Sequence, residues 1–172
     1  MLHALATDQV LSLGQLERHF NLSETDVRRL GVRVFGVAVS KTKGSTRQAN
    51  YQFVIRKGKQ APQDGATVRH LTGTAEMRHL LGAPHDVWVS DAGRRWAKHK
   101  PDALWTTPQG VVAIEYDAGS YDPTRIADKL MSFKAGYVGQ IWGTPSRARA
   151  EHLRDLARNL VPDLYVLYAP WF

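Results

Sequence analysis

Three acidic residues stand in a segment whose pattern predicts a β-hairpin. Asp102 precedes the first β-rich run, Glu115 and Asp117 end the second, and the turn 107–110 (Thr-Pro-Gln-Gly) separates the runs. Proline at the second turn position and glycine at the fourth suit a type I turn. If the first and last turn residues pair, Asp102 lies directly opposite Glu115. Asp117 then shares the face of Glu115, because strand side chains alternate.

Carboxylates that face each other across a ladder lie about 5 Å apart at Cβ and repel one another, so the arrangement needs a compensating charge. A hard divalent cation with oxygen ligands, Mg²⁺ or Mn²⁺, is the natural candidate. The hairpin therefore predicts a metal site that acts on phosphate groups.

Composition limits the class of protein. The chain has 172 residues, enough for one ordinary domain or two small ones, and 43% of them are hydrophobic. It has no cysteine, which excludes disulfides and thiolate metal sites. No apolar run approaches about eighteen residues and no signal-peptide pattern begins the chain, so we expect a cytoplasmic protein without a membrane partner. A net charge of +7 favours a polyanionic partner.

The first 59 residues have the order of a winged helix-turn-helix. Ser12 and Ser23 are N-cap residues that each begin a short helix, the second spanning roughly 24–33. Two β-rich runs, 34–41 and 50–57, follow and predict the wing. Residues 60–66, rich in proline, glycine and polar side chains, predict a linker.

Residues 67–172 predict a second domain with an αβββαβ core and a mixed sheet. A helical pattern covers 68–81, three β-rich runs follow, and Asp122 and Pro123 mark the start of the next helix. The remaining pattern alternates strand, helix and strand up to residue 168. We therefore expect an α/β (α+β) protein, with the winged helix first and the αβββαβ core second.

This order and its motifs resemble the PD-(D/E)xK nuclease superfamily, and more narrowly the replication-relaxation family of plasmids, phages and other mobile elements. That family similarly joins a winged helix to a restriction-endonuclease-like domain, so the resemblance covers most of the chain. The residues that carry it are His70-Leu71, Lys100-Pro101-Asp102-Ala103, Glu115-Tyr116-Asp117-Ala118-Gly119-Ser120, and Lys129-Leu130 followed by Phe133.

The resemblance implies roles for five residues. Asp102 and Glu115 would bind the metal, with Asp117 beside them. The superfamily places a lysine two residues after the glutamate, and this chain departs from that pattern because Asp117 stands there. Lys129, at the edge of the helical stripe that faces the sheet, could reach Glu115 or Asp117 in its stead. Glu76 matches an acidic residue that superfamily members often carry on the first helix.

Structural alternatives stay open for each residue. Asp102 could merely start a strand, Lys129 could form a salt bridge with Asp117, and Glu76 could lie on a helix surface. His70 could activate water or hold phosphate, or it could be a capping or core histidine.

DNA contacts are expected from basic residues in three segments: the second helix of the turn motif, the wing, and a basic run interleaved with tryptophan before the hairpin. They are Arg28, Arg29, Arg33, Lys41, Lys43, Arg47, Arg94, Arg95, Lys98 and Lys100.

The leading hypothesis is a protein that binds double-stranded DNA and cleaves or nicks its phosphodiesters with Mg²⁺ or Mn²⁺. The alternative is a replication or transcription regulator whose nuclease-like domain has lost its chemistry. A protein-interaction adaptor is a third class, and it predicts no salt-sensitive affinity for DNA. A homodimer would suit duplex cleavage and paired half-sites.

Overall fold

The computed structural model describes residues 1–40, 48–90, 99–119 and 121–172, which form a mixed α/β structure with two sheets. The helices are α1 (Leu2–Asp8), α2 (Leu13–Phe20), α3 (Glu24–Arg29), α4 (Gly65–Leu81), α5 (Pro123–Gly136) and α6 (Arg147–Ala157). The strands are β1 (Leu11–Ser12), β2 (Arg33–Ser40), β3 (Gln48–Ile55), β4 (Trp88–Ser90), β5 (Ala103–Thr107), β6 (Gly110–Tyr116), β7 (Gly139–Thr144) and β8 (Tyr165–Tyr168).

The N-terminal elements form around two capped helices and a small sheet. Ser12 and Ser23 each accept a hydrogen bond from the backbone three residues later, in reciprocal capping boxes with Gln15 and Asp26. Strands β1, β3 and β2 form an antiparallel sheet in that order. The predicted helices and hairpin of this region are therefore present.

Helix α3 is shorter than the sequence pattern predicted. Its last residue is Arg29, and Gly31 follows with φ at 67°, a left-handed conformation that suits glycine and stops the helix. Arg33 was expected on this helix, and that placement is wrong because Arg33 begins β2.

The larger sheet has the order β4-β5-β6-β7-β8. Strands β4, β5 and β6 pair antiparallel, whereas β6, β7 and β8 pair parallel through crossovers that contain α5 and α6. The sheet is therefore mixed, as predicted. Strand β4, the first of the three strands predicted after the helical pattern 68–81, is short, because a 3-10 turn occupies His85–Val87 before it.

Helices cover both faces of this sheet. Ile114 and Tyr116 of β6 pack into a core with Met77 of α4, while Ala113 packs on the opposite face with Phe133 of α5. Because strand side chains alternate, Glu115 lies on the α5 face together with Ala113.

Helix α4 begins earlier than its apolar pattern indicated, at Gly65, because Asp64 accepts hydrogen bonds from the backbone of Ala66 and Thr67. The predicted linker 60–66 thus runs into its first turn. One hydrophobic cluster contains Phe53 of β3 together with Tyr116 of the larger sheet. Among the described helices, none has the length and apolar content needed to cross a lipid bilayer.

Candidate active site

Asp102 lies at the open end of the β5–β6 hairpin. Thr107 pairs with Gly110 and the ladder continues from there, in the register expected from the turn. Oδ2 of Asp102 accepts a hydrogen bond from the backbone nitrogen of Tyr116 at 2.8 Å. This bond ties the residue before β5 to the end of β6, so the hairpin itself brings Asp102 beside Glu115.

Glu115 is the buried member of this carboxylate pair. Its Oε1 accepts a hydrogen bond from the Tyr121 hydroxyl at 2.9 Å and contacts the Lys129 ammonium, whereas no described residue donates to Oε2. Burial and the negative charge of Asp102 raise the pKa of Glu115 to about 8, against smaller opposing effects of Lys129 and Tyr121. An ionised Glu115 therefore calls for more positive charge than Lys129 supplies.

Helix α5 brings Lys129 to Glu115. Asp122 caps the helix, and Pro123 occupies its first turn, where a missing N–H costs nothing. Ile126 and Phe133 are fully buried on the stripe that faces the sheet. Lys129 lies between them in sequence, with a side chain only 6% exposed, and its ammonium meets Glu115 rather than Asp117.

Tyr121 belongs to the site although no sequence pattern singled it out. Besides donating to Glu115, its hydroxyl lies 3.3 Å from Lys129 Nζ, and the Arg125 guanidinium lies 4.6 Å from the ring centroid. Burial and the charge of Glu115 raise the pKa of Tyr121, so its hydroxyl keeps the proton that it donates. The available signal was an aromatic residue directly before the Asp122 cap.

Asp117 is held away from the carboxylate pair. Its Oδ2 accepts a hydrogen bond from Arg149 Nε at 2.8 Å, and its Oδ1 accepts one from the Gly119 backbone at 2.8 Å. Arg149 also donates to the Tyr121 carbonyl oxygen at 2.8 Å. Arg149 of α6 thus neutralises a buried carboxylate.

Glu76 also lies apart from Asp102 and Glu115. One of its oxygens, Oε2, accepts hydrogen bonds from Gln15 at 3.0 Å and Arg18 at 3.2 Å, and His19 Nε2 lies 3.0 Å away. Glu76 thus joins α4 to α2 and is not brought to the carboxylate pair.

His70 of α4 contacts Asp102, with its Nδ1 3.3 Å from Asp102 Oδ2. When Asp102 is ionised it can only accept hydrogen bonds, so His70 Nδ1–H is then the donor in this contact. Both side chains are about a quarter exposed, at 25% and 23%. Solvent and ligands therefore reach the His70 and Asp102 side chains from the α4 side.

The structure describes four of the ten basic residues expected to contact DNA. Arg28 and Arg29 are exposed on α3 and pair with Glu24 at 2.5 Å and Asp26 at 4.0 Å on the same helix. Arg33 is exposed on β2, and Lys100 is exposed before the hairpin. The others lie outside the described residues: Lys41, Lys43, Arg47, Arg94, Arg95 and Lys98.

The carboxylate pair fits a small divalent cation in its chemistry. The described residues contain no group of three His, Cys, Asp or Glu side chains placed to hold a metal. Mg²⁺, however, is usually bound by one or two carboxylates, with water and phosphate oxygens completing its shell. Glu115 Oε2, buried without a described donor, and the neighbouring Asp102 supply such a set.

Comparisons with known proteins assign no family. No family model matches the chain, and no solved structure matches it. The chain is 27% identical over 108 residues to a 5-oxoprolinase subunit of Paracidovorax citrulli (strain AAC00-1), and the matched stretch covers 61% of this chain and 43% of that protein. The chain thus spans less than half the length of this curated relative.

Proposed function

We propose that this protein is a metal-dependent nuclease that cleaves or nicks phosphodiester bonds of DNA. The observation that carries the proposal is the meeting of Asp102, Glu115 and Lys129 at one point, delivered by the hairpin and by α5. Two acidic oxygen donors beside a buried ammonium are the groups that phosphoryl transfer requires.

The order of elements supports the same proposal. Helix α4, strands β4 to β6, helix α5 and strand β7 follow one another in the αβββαβ order expected of a PD-(D/E)xK core. The mixed pairing, antiparallel up to β6 and parallel after it, agrees with that core. Helices α2 and α3 followed by the β2–β3 hairpin agree with a winged helix.

Each residue of the site has a part in the proposed reaction. A bound Mg²⁺ or Mn²⁺ would supply a water of lowered pKa and a Lewis acid for the phosphate. Asp102 and Glu115 would hold that cation through carboxylate oxygens. Lys129 stabilises the ionised form of Glu115 and faces the negative charge that develops on phosphate. Tyr121 keeps the Glu115 and Lys129 side chains in one position through its hydroxyl.

The proposed partner is double-stranded DNA, held by exposed cations of the N-terminal region. Arg28, Arg29 and Arg33 are exposed, and such residues bind phosphates without reading sequence. The exposed ion pairs of Arg28 with Glu24 and of Arg29 with Asp26 lie on a helix surface and are easily exchanged for phosphate contacts. A plasmid, phage or other mobile-element context and a homodimer belong to the same proposal.

Cleavage of supercoiled plasmid tests the proposal. Wild type should nick or linearise the plasmid with Mg²⁺ or Mn²⁺ and not with EDTA. Asp102→Asn and Glu115→Gln should each lower the rate by about 100-fold or more, since each removes a charged oxygen donor. Asp155→Asn, an exposed acid on α6, is the matched control and should cleave like wild type. Equal rates for Asp102→Asn and wild type would contradict the assignment.

The placement of Asp117 favours a second function, a DNA-binding regulator without catalysis. The superfamily pattern has a lysine at this position, whereas here an aspartate is neutralised by Arg149. This regulator would bind DNA with steep salt dependence in both wild type and Asp102→Asn, and neither would cleave. Metal-dependent cleavage by wild type excludes it.

A further inference from the structure

A groove runs along α4 from a basic end to the carboxylate site. One cavity of about 330 Å³ is lined by Arg56 and Lys59, and another of about 510 Å³ is lined by His70 and Asp102. Both cavities are also lined by Gln9, Pro62 and Leu71, so they adjoin. The paired cavities form the α1–α4 groove.

The two ends of the α1–α4 groove differ in charge. No described residue forms an ion pair with Arg56 or Lys59, which are exposed at the end of β3 and in the following turn. Asp64 lines the groove too, but its carboxylate caps α4, where the helix N-terminus offsets its charge. The end of the groove at Arg56 and Lys59 thus has unpaired positive charge, and the end at His70 and Asp102 has the acidic site.

Gln9 stands where the two cavities meet, in a strained backbone conformation. Its φ is 67° and its ψ is −48°, and the Val10 nitrogen donates to the Asp8 carbonyl at 2.8 Å, which makes a γ-turn of the rarer, strained hand. The turn is held because Arg78 binds the buried Asp8 carboxylate through two hydrogen bonds of 2.7 Å.

A glycine would adopt this turn at lower cost, yet the chain has an exposed glutamine there. Strained residues that surrounding structure holds in place are concentrated at ligand sites. A glutamine amide both donates and accepts hydrogen bonds, as a nucleobase edge requires.

We propose that the α1–α4 groove binds a single strand of DNA next to the phosphate that is cleaved, with Lys59 and Arg56 on backbone phosphates and Gln9 on a base. The proposal rests on the nuclease function and adds that one strand of the bound DNA is unpaired where it lies beside the cleaved phosphate. Cavities of these sizes match sites of about 300–1,000 Å³ for small ligands, which hold one or two nucleotides rather than a duplex. The DNA strand lies along the groove with its phosphates at the basic end, Arg56 and Lys59, and extends from there towards Asp102.

Fluorescence anisotropy with a labelled single-stranded DNA of about ten nucleotides tests the groove, in EDTA so that binding is separate from cleavage. Lys59→Ala should weaken binding by about 3- to 10-fold and reduce the slope of log K against log salt by about 0.7. Lys57→Ala is the matched control. It removes the same charge two residues away, from a residue that does not line the groove, and should change the affinity by less than about 2-fold.

Gln9→Gly provides a readout that a purely structural role does not produce. Relief of the strained turn should raise Tm by about 3 °C, while loss of the amide should weaken binding of the single strand by about 3-fold or more. Stability and affinity therefore move in opposite directions. Gln9→Asn, which keeps a shorter amide at this position, should retain more affinity than Gln9→Gly.

Several results would overturn the groove: no binding of the single strand by wild type, equal losses for Lys59→Ala and Lys57→Ala, or equal weakening of duplex and single-strand binding by Lys59→Ala. Plasmid cleavage separates this failure from failure of the nuclease. If wild type cleaves while Lys59→Ala leaves single-strand affinity unchanged, the groove is wrong and the nuclease stands. If wild type never cleaves but the groove variants lose affinity, the groove stands alone.

Discussion

A buried carboxylate with one unsatisfied oxygen is unusual in a folded protein, because each such group gives up hydration without a replacement. Glu115 has this position, with Oε2 free of described donors and Asp102 adding a second negative charge. At high pH, where Glu115 is ionised, its buried charge beside Asp102 therefore destabilises the folded state. A stability cost of this kind is typical of groups that are kept for binding or catalysis.

The pH dependence of stability exposes this cost. Between 4.5 and about 8 the folded chain keeps a proton on Glu115 that the unfolded chain releases. The unfolded state then binds fewer protons, so the free energy of unfolding falls as pH rises through this window. Glu115→Gln cannot ionise and should escape the fall, gaining on wild type by several kcal/mol at most, at about 1.4 kcal/mol per pKa unit.

Urea unfolding in EDTA, near pH 4.5 and near pH 8, measures the difference in free energy of unfolding between Glu115→Gln and wild type. Glu151→Gln, an exposed change on α6, is the control and should follow wild type at both values. If the free energy of unfolding changed equally with pH in wild type and in Glu115→Gln, Glu115 would ionise normally.

Hairpin chemistry was enough to predict that Asp102 and Glu115 lie together, because a turn of known length sets the register of both strands. The same approach missed Tyr121 and Arg149. Their roles depend on where α5 and α6 pack on the sheet. Local sequence patterns do not determine that packing.

At the scale of elements, α4 packs unusually close to the large sheet. A Cβ atom added at Gly73 would lie 2.3 Å from the Tyr116 ring, so only glycine allows this approach. Tyr116 also donates its hydroxyl proton to the Ala169 carbonyl at 3.1 Å, which fixes the ring. The close approach sets the distance between His70 on α4 and Asp102 beside β6.

Gly73→Ala should therefore destabilise the fold by about 2 kcal/mol, through overpacking against the fixed ring. Gly136→Ala is the matched control, since a Cβ there meets nothing within 4 Å, and it should be neutral or stabilise by up to about 1 kcal/mol. Thermal or urea unfolding measures both. Equal stabilities of the two variants would mean that α4 moves away from β6 without cost.

The starts of the capped helices were predicted well because a cap is a local hydrogen bond, as at Ser12, Ser23 and Asp122. Errors arose where one local signal opposed another. Gly31 stopped α3 before Arg33, and the Asp64 cap started α4 inside the glycine-containing segment predicted as a linker.

At the scale of the whole molecule, the N-terminal elements and the large sheet have a common core and a common polar hub. Phe53 and Trp171 pack against each other with ring centroids 5.7 Å apart, although they are far apart in sequence. Glu76 of α4 accepts hydrogen bonds from Gln15 and Arg18 of α2. Nothing in the local pattern of a helix-surface glutamate predicts this role, which exists only once α2 docks.

Glu76→Gln should lower the free energy of unfolding by about 2 kcal/mol, because Arg18 and His19 lose their carboxylate. Far-UV circular dichroism and tryptophan fluorescence should shift to the same lower urea midpoint, since the core is continuous. Glu17→Gln, exposed on α2, should stay within about 0.5 kcal/mol of wild type. Separate midpoints for the two signals would contradict a shared core.

The Asp117–Arg149 pair limits how this site can evolve. A change of Asp117 to lysine would give the chain the superfamily motif, but it would bury two cations against each other and leave Arg149 without its carboxylate. Only a simultaneous change at position 149 makes the motif lysine acceptable. The two positions are therefore expected to vary together among descendants of this chain, with each residue selecting the identity of the other.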